Sequence, residues 1–187
     1  METLTDIEKN NRTNIIQNLR NSITELADNK VIIDSVPAKN EIILLGECTH
    51  GTHEFYNMRS YITKNMIVDK GYRIILIEAE WPDIYRVNKY IHRQGDDKTA
   101  KESLKEIIKF PLWMWNNKIT YELIEWLKDY NMKNKNDPVY IFGIDCQQFI
   151  KSRKMLIDFL YKTDRKYYEL IRNQTEILSK FSHEQEY

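Results

Sequence analysis

Glycine and proline are scarce in this 187-residue sequence, with five and four residues, so collagen-like, low-complexity and disordered readings have no support. Cysteine is scarcer still: Cys48 and Cys146 are the only two, too few for a disulfide scaffold, and they read as free thiols. An excess of charge of one sign is also missing, because 28 Lys and Arg stand against 28 Asp and Glu. No net field gathers polyanions or holds the chain on anionic lipid, so neither nucleic acid nor a membrane is an expected partner. The longest apolar runs, Ile42 to Leu45 and Ile74 to Ile77, are strand-sized and far too short to span a bilayer. The N-terminus is polar early, with Thr3, Asp6, Glu8 and Lys9, and lacks the segments of a secretory signal. A cytoplasmic location is the expectation.

What the chain does have is aromatic and apolar weight, including four Trp and twelve Tyr, enough for one domain with a real core. Residues 1–36 read as a helical lead-in, with Ile15, Ile16, Leu19, Ile23 and Leu26 at helical spacing from about Asn14 to Leu26. Glu41 to Gly46 is a β-branched and Leu run suited to a strand buried on both faces. It stops at Glu47-Cys48-Thr49-His50-Gly51. A helix is predicted from Thr52, with Phe55, Met58, Tyr61, Ile62 and Met66 on one side and Gly71 as its stop. Tyr72 to Glu78 reads as a second strand, and Pro82 suits the first turn of a helix running toward His92. Helices over Lys101 to Lys109 and Thr120 to Tyr130 flank Phe110-Pro111-Leu112-Trp113-Met114-Trp115. A third strand, Val139 to Ile144, ends in Asp145, and residues 152–187 read as C-terminal amphipathic helices.

Strands alternating with crossover helices predict an α/β fold, a mostly parallel sheet with helices on both faces in three layers. Ligands in such sheets bind outside the carboxyl ends of the strands. The three predicted strands end in Glu47, Glu78 and Asp145, which places three carboxylates on one edge.

Glu47 and His50 lie three residues apart, close enough for the carboxylate to orient the imidazole and raise the basicity of its other nitrogen. The plain alternative is a histidine satisfied by an acid at a helix start. Position favours the functional reading, since a charged pair directly after a buried strand is costly unless the site is polar and wet. A metal site is a second reading of the string Glu47, His50, His53 and Glu54, with Asp145 able to add an oxygen. The spacing differs from H-E-x-x-H, in which two histidines share a helix face. A Cys48–His50 nucleophile pair is a third reading, disfavoured because neighbouring carboxylates raise the thiol pKa. Arg59 falls two turns into the following helix, as a surface cation or as a clamp for a substrate carboxylate or carbonyl. Trp81, Trp113 and Trp115 read as core or pocket wall.

Five blocks in register carry a family resemblance: Gly46 to Phe55, Glu78 to Pro82, Phe110 to Trp115, Glu125-Trp126-Leu127 with Tyr130-Asn131, and Gly143-Ile144-Asp145. Over about residues 40 to 150 the chain resembles the erythromycin esterase family. The resemblance implies a hydrolase that opens the lactone ester of macrolide antibiotics, an activity of antibiotic resistance, or a relative acting on another small-molecule ester. It implies His50 as general base, Glu47 as its orienting acid, and Arg59 and Glu78 as the helix arginine and second-strand acid. His53, Trp81, Trp113 and Asp145 are the expected substrate-binding residues. It further implies that water is activated directly, with no cofactor or required metal, and that Cys48 is not a nucleophile. Family enzymes are longer, and their second catalytic histidine lies in a half that this chain does not contain; His92 and His183 have no motif context for that role. The chain therefore reads as the N-terminal portion of an erythromycin-esterase-like fold. The alternative function is that of a truncated, inactive relative that binds a ligand or self-associates through exposed C-terminal helices.

Overall fold

The computed structural model describes residues 6–22, 34, 41–46, 49–107, 114–145 and 148–177. The chain divides into two compact units, residues 1–43 and 44–187. In the first, α1 (Asp6–Ser22) begins a little over two turns before the expected start and carries the predicted Ile15, Ile16 and Leu19, all exposed.

The second unit contains, in order, α2 (His53–Lys70), β1 (Ile74–Glu80), α3 (Trp81–Ile91), α4 (Ala100–Ser103), α5 (Lys118–Lys133), β2 (Tyr140–Asp145), α6 (Phe149–Thr163) and α7 (Arg165–Gln174). Local chemistry sets the boundaries. Gly71 closes α2 in the left-handed conformation, φ 76°, returning its N–H to the Met66 carbonyl. Pro82 occupies the first turn of α3, where a missing N–H costs nothing. Asn117 caps α5, its Oδ1 accepting the Thr120 N–H at 3.0 Å.

The two strands pair in parallel, Ile74 opposite Tyr140 through Ile77 opposite Gly143, and then a slip in register sets Glu80 opposite Asp145. Ile75, Ile77, Ala79 and Ile141 point into a core completed by Ile84, Val87 and Ile91 of α3 and Ile124 and Leu127 of α5. On the opposite face Ile74, Leu76, Tyr140 and Ile144 remain exposed. The edge of β2 away from β1 is closed by side chains. Asn131 accepts the Val139 N–H at 2.7 Å and donates to the Val139 carbonyl at 2.9 Å, while Asn88 accepts the Ile141 N–H at 3.0 Å. A further polar knot joins three helical segments: Tyr90 donates its hydroxyl to Glu125, which also accepts the Ala100 N–H at 2.7 Å.

Two expectations require correction. Residues 41–46 form no strand, and Ile42 and Leu44 are 77% and 90% exposed. An apolar run supplies side chains suited to burial, but a strand also needs a ladder partner, which the run does not specify. The sheet among the described residues is two-stranded, in a helix-rich α/β fold. Of the helix expected over Lys101 to Lys109, residues 108–109 lie outside the described ones, and the described part holds a single turn, α4: Ser103 donates its hydroxyl back to the Ala100 carbonyl, and Leu104 turns into the core. The C-terminal helices are present as α6 and α7 and bury no residue.

Candidate active site

The candidate site is built around the turn from Thr49 to Gly51, which carries His50 exposed at its apex. Gly51 sits at φ 84°, a conformation that favours glycine and lets the chain reverse directly into α2. The Thr49 and Thr52 hydroxyls share a 2.5 Å hydrogen bond across the turn, and the Gly51 N–H donates to the Tyr56 hydroxyl at 3.4 Å. His53, the first residue of α2, lines a small open pocket of about 150 Å³ with Gly51, Tyr56, Asn117, Lys118 and Ile119. His50 and His53 thus flank one turn.

Tyr56 and Arg59 lie three apart on α2 and share a face. Tyr56 is buried, and its ring meets Trp115 edge-on at 6.2 Å. The Arg59 guanidinium lies over both rings, 4.9 Å from the Tyr56 centroid and 5.3 Å from that of Trp115. Trp115 in turn donates its indole N–H to the Glu78 carbonyl at 2.7 Å. The helix arginine and the end of β1 are therefore joined through one indole, while the Glu78 side chain stays exposed.

At the carboxyl ends of the strands, Asp145 lies half-buried in register with Glu80. Glu80 is the buried acid of this edge and accepts the Gln148 N–H at 3.0 Å. Asp83, only 3% exposed, accepts from Gln148 Nε2 at 2.8 Å and from Lys151 at 2.5 Å. Lys151 also binds Glu106 at 2.6 Å, and Arg86 bridges Glu106 to Asp97. Burial works to lower the Lys151 pKa, but its bonds to Asp83 and Glu106 prevail and hold it above the ordinary lysine value. Lys151 holds the Glu106 carboxyl below its ordinary value, and Arg86 does the same for Asp97. Trp81 begins α3 half-exposed, its ring stacked on Tyr85 with centroids 5.1 Å apart.

The structure thus links Arg59 to the backbone of Glu78 through Trp115 and sets His53 beside the His50 turn, and it leaves Trp81 on a separate aromatic stack. Glu47, Cys48 and Trp113 lie outside the described residues. His92 packs on Tyr140, the first residue of β2, with ring centroids 4.6 Å apart, at the opposite strand end from Glu78 and Asp145. Among the described residues no three His, Cys, Asp or Glu side chains gather to hold a metal ion, and no helix is long and apolar enough to cross a membrane. The sequence reading did not single out Tyr56, Glu80, Asp83 or Lys151. For Tyr56 the signal was its helical spacing with Arg59; for the others it was spread over segments that meet only in the fold.

The described residues thus form a helix-rich α/β unit with acids at the carboxyl ends of its strands and a histidine turn leading into α2. The family model described as erythromycin esterase matches residues 67–187, well over half of the sequence, and the chain belongs to that family. The match begins downstream of the His50 turn and Arg59. Two curated relatives extend the comparison. One is a Bacillus subtilis (strain 168) protein named "Putative hydrolase YbfO", 29% identical over 111 residues, covering 59% of this chain and 23% of the relative. The other is the Escherichia coli erythromycin esterase type II, 23% identical over 146 residues, covering 76% of this chain and 33% of the relative. The crystal structure of a succinoglycan biosynthesis protein shares the fold, with a TM-score of 0.60 and 24% identity over 74% of this chain and 34% of that one. The chain spans about a quarter to a third of the length of these proteins.

Proposed function

We propose that this chain carries the water-activating part of an erythromycin-esterase-like hydrolase that opens a carboxylic ester or macrolide lactone in the cytoplasm. The observation that carries the reading is the link from the His50 turn through Tyr56, Arg59 and Trp115 to the end of β1. His50 takes a proton from water as the oxygen attacks the ester carbonyl, and the resulting imidazolium is held by Glu47. Arg59 faces the charge that develops on the carbonyl oxygen. When the tetrahedral intermediate collapses, the C–O bond breaks and the alkoxide takes the proton back from His50, leaving an acid and an alcohol. Glu78 acts at the same edge, with His53, Trp81, Trp113 and Asp145 contacting the substrate; the reading needs no cofactor or metal.

The chain is read as a single α/β domain, the N-terminal portion of a larger fold of this kind. Parallel sheets are normally covered on both faces, and the exposed Ile74, Leu76, Tyr140 and Ile144 support a larger three-layer sheet. Exposed Leu156, Phe159, Tyr167 and Leu170 on α6 and α7 support self-association through the C-terminal helices. A single monomeric mass by light scattering at high protein concentration would remove that part.

The test is incubation of the 187-residue chain with erythromycin and with p-nitrophenyl esters, followed by mass analysis. Gain of one water by the macrolide, or release of nitrophenol, that disappears in His50→Ala supports the reading. Turnover unchanged in that variant counts against His50 as the base, and no turnover at high protein concentration favours the inactive ligand-binding relative.

A further inference from the structure

We propose that Trp115 is a positioning residue that fixes the Arg59 guanidinium against the carboxyl end of β1. The role of Arg59 at the reacting carbonyl rests on the function proposed above; its placement by Trp115 rests on geometry alone.

An arginine side chain has many rotamers, and a helix delivers its Cα without deciding where the guanidinium lies. Here the guanidinium lies over two rings, 4.9 Å from Tyr56 and 5.3 Å from Trp115. Cation–π attraction acts through the ring face, so it sets the position of the cation while the guanidinium N–H groups point within its own plane. The rings are fixed in turn. They meet edge-on at 81°, Tyr56 is 5% exposed, and Trp115 is tied to strand backbone by its 2.7 Å bond to the Glu78 carbonyl. Tyr56 shares its helix with Arg59 and moves with it. Trp115 is anchored elsewhere, so it ties the position of Arg59 to β1. The Gly51 N–H, bonded to the Tyr56 hydroxyl, brings the His50 turn onto the same stack.

A merely structural tryptophan would fill space in the small cluster with Tyr56, Met114 and Ile119 and leave the arginine's signature unchanged. The test is NMR of the ¹⁵N-labelled 187-residue chain without ligand, following the Arg59 Nε–H and Trp115 Nε1–H resonances in the parent, Trp115→Phe and Trp115→Leu. In the parent, the Trp115 indole N–H should exchange about tenfold or more slowly than that of Trp81, which is 39% exposed. The Arg59 Nε–H should carry an upfield ring-current shift that shrinks in Trp115→Leu, where the Tyr56 ring alone remains, and is largely restored in Trp115→Phe, which keeps the second ring face. Its exchange should quicken severalfold in Trp115→Phe, because the platform has lost its tie to Glu78.

An Arg59 resonance unmoved in Trp115→Leu overturns the proposal, as does a Trp115 indole that exchanges as fast as that of Trp81. If the leucine variant fails to fold, Trp115→Phe decides: faster Arg59 exchange supports the proposal and unchanged exchange overturns it. None of these readouts needs turnover, so a silent hydrolysis assay counts against the catalytic reading and leaves the placement result intact.

Discussion

Gly143 packs against the backbone of Ala79, so closely that a Cβ added to it would run into the Ala79 and Glu80 carbonyl oxygens. The close approach falls at the slip in strand register between Ile77 and Glu80, after which Glu80 stands opposite Asp145. The shape of the acidic strand edge therefore depends on a position with no side chain.

Gly143→Ala should lower stability by about 1–3 kcal/mol, the usual range for overpacking against atoms that cannot step aside. Urea unfolding measures it. Gly46→Ala is the control, since nothing lies within 4 Å of its added Cβ; its midpoint should stay within about 0.5 kcal/mol of the parent. Equal midpoints for the two variants would mean that the bulge relaxes freely.

Asn131→Leu should be costlier than its volume suggests. The buried amide satisfies both the N–H and the carbonyl of Val139, and each group left unpaired costs about 1–3 kcal/mol. The expected signature is loss of stability together with faster hydrogen exchange at the Val139 amide. Stability lost without that exchange change would point to packing instead.

Lys151→Met should loosen α6 and α7 selectively. Neither helix buries a residue, and α6 is tied to α3 by Lys151 and Gln148 on Asp83. Removing the ammonium leaves the Asp83 carboxylate buried with one donor fewer, a cost of about 2 kcal/mol. Hydrogen exchange should quicken across Phe149–Gln174 while β1 and β2 keep their protection. Uniform quickening would mean that the helices are held by more than this contact.

Stability should fall with acid in two stages. Burial holds His92 below its ordinary pKa, against an opposing hydrogen bond to the Val139 backbone. Its folded form therefore disfavours the proton, and its contribution is complete above about pH 6.5 and declines as pH falls below it. Glu106 and Asp97 are held low by Lys151 and Arg86. Their contribution is complete above the ordinary carboxylate range and is lost as pH drops through the lower folded values. A melting series from about pH 8 to 3 should show both slopes. His92→Gln should flatten the upper slope and Glu106→Gln the lower; an upper slope that survives His92→Gln assigns it to another group.

Much of the local architecture is readable in single residues. Gly71 stops α2 and Pro82 starts α3 because backbone freedom and ring geometry act at the residue itself. The β1 and β2 runs announce strands by their apolar side chains; Asp145 marks the end of β2, whereas β1 runs two residues past Glu78 to Glu80. The run from Ile42 to Leu45 has the same composition and forms no strand. Trp115 was legible as an aromatic wall but not as a partner of Glu78, which lies 37 residues away in sequence. Asn88 and Asn131 look like ordinary helix polars until they meet the edge of β2.

By itself, then, the sequence determined the helix stops and starts, two strands with acidic ends, the His50 turn and the family resemblance, since each is set by the chemistry of neighbouring residues. Only tertiary structure decided which apolar run enters the sheet, that Glu80 rather than Glu78 is the buried acid, and that Arg59 reaches β1 through Trp115. Those outcomes depend on contacts between segments distant in the chain, where distance and burial select among partners that local pattern leaves equivalent.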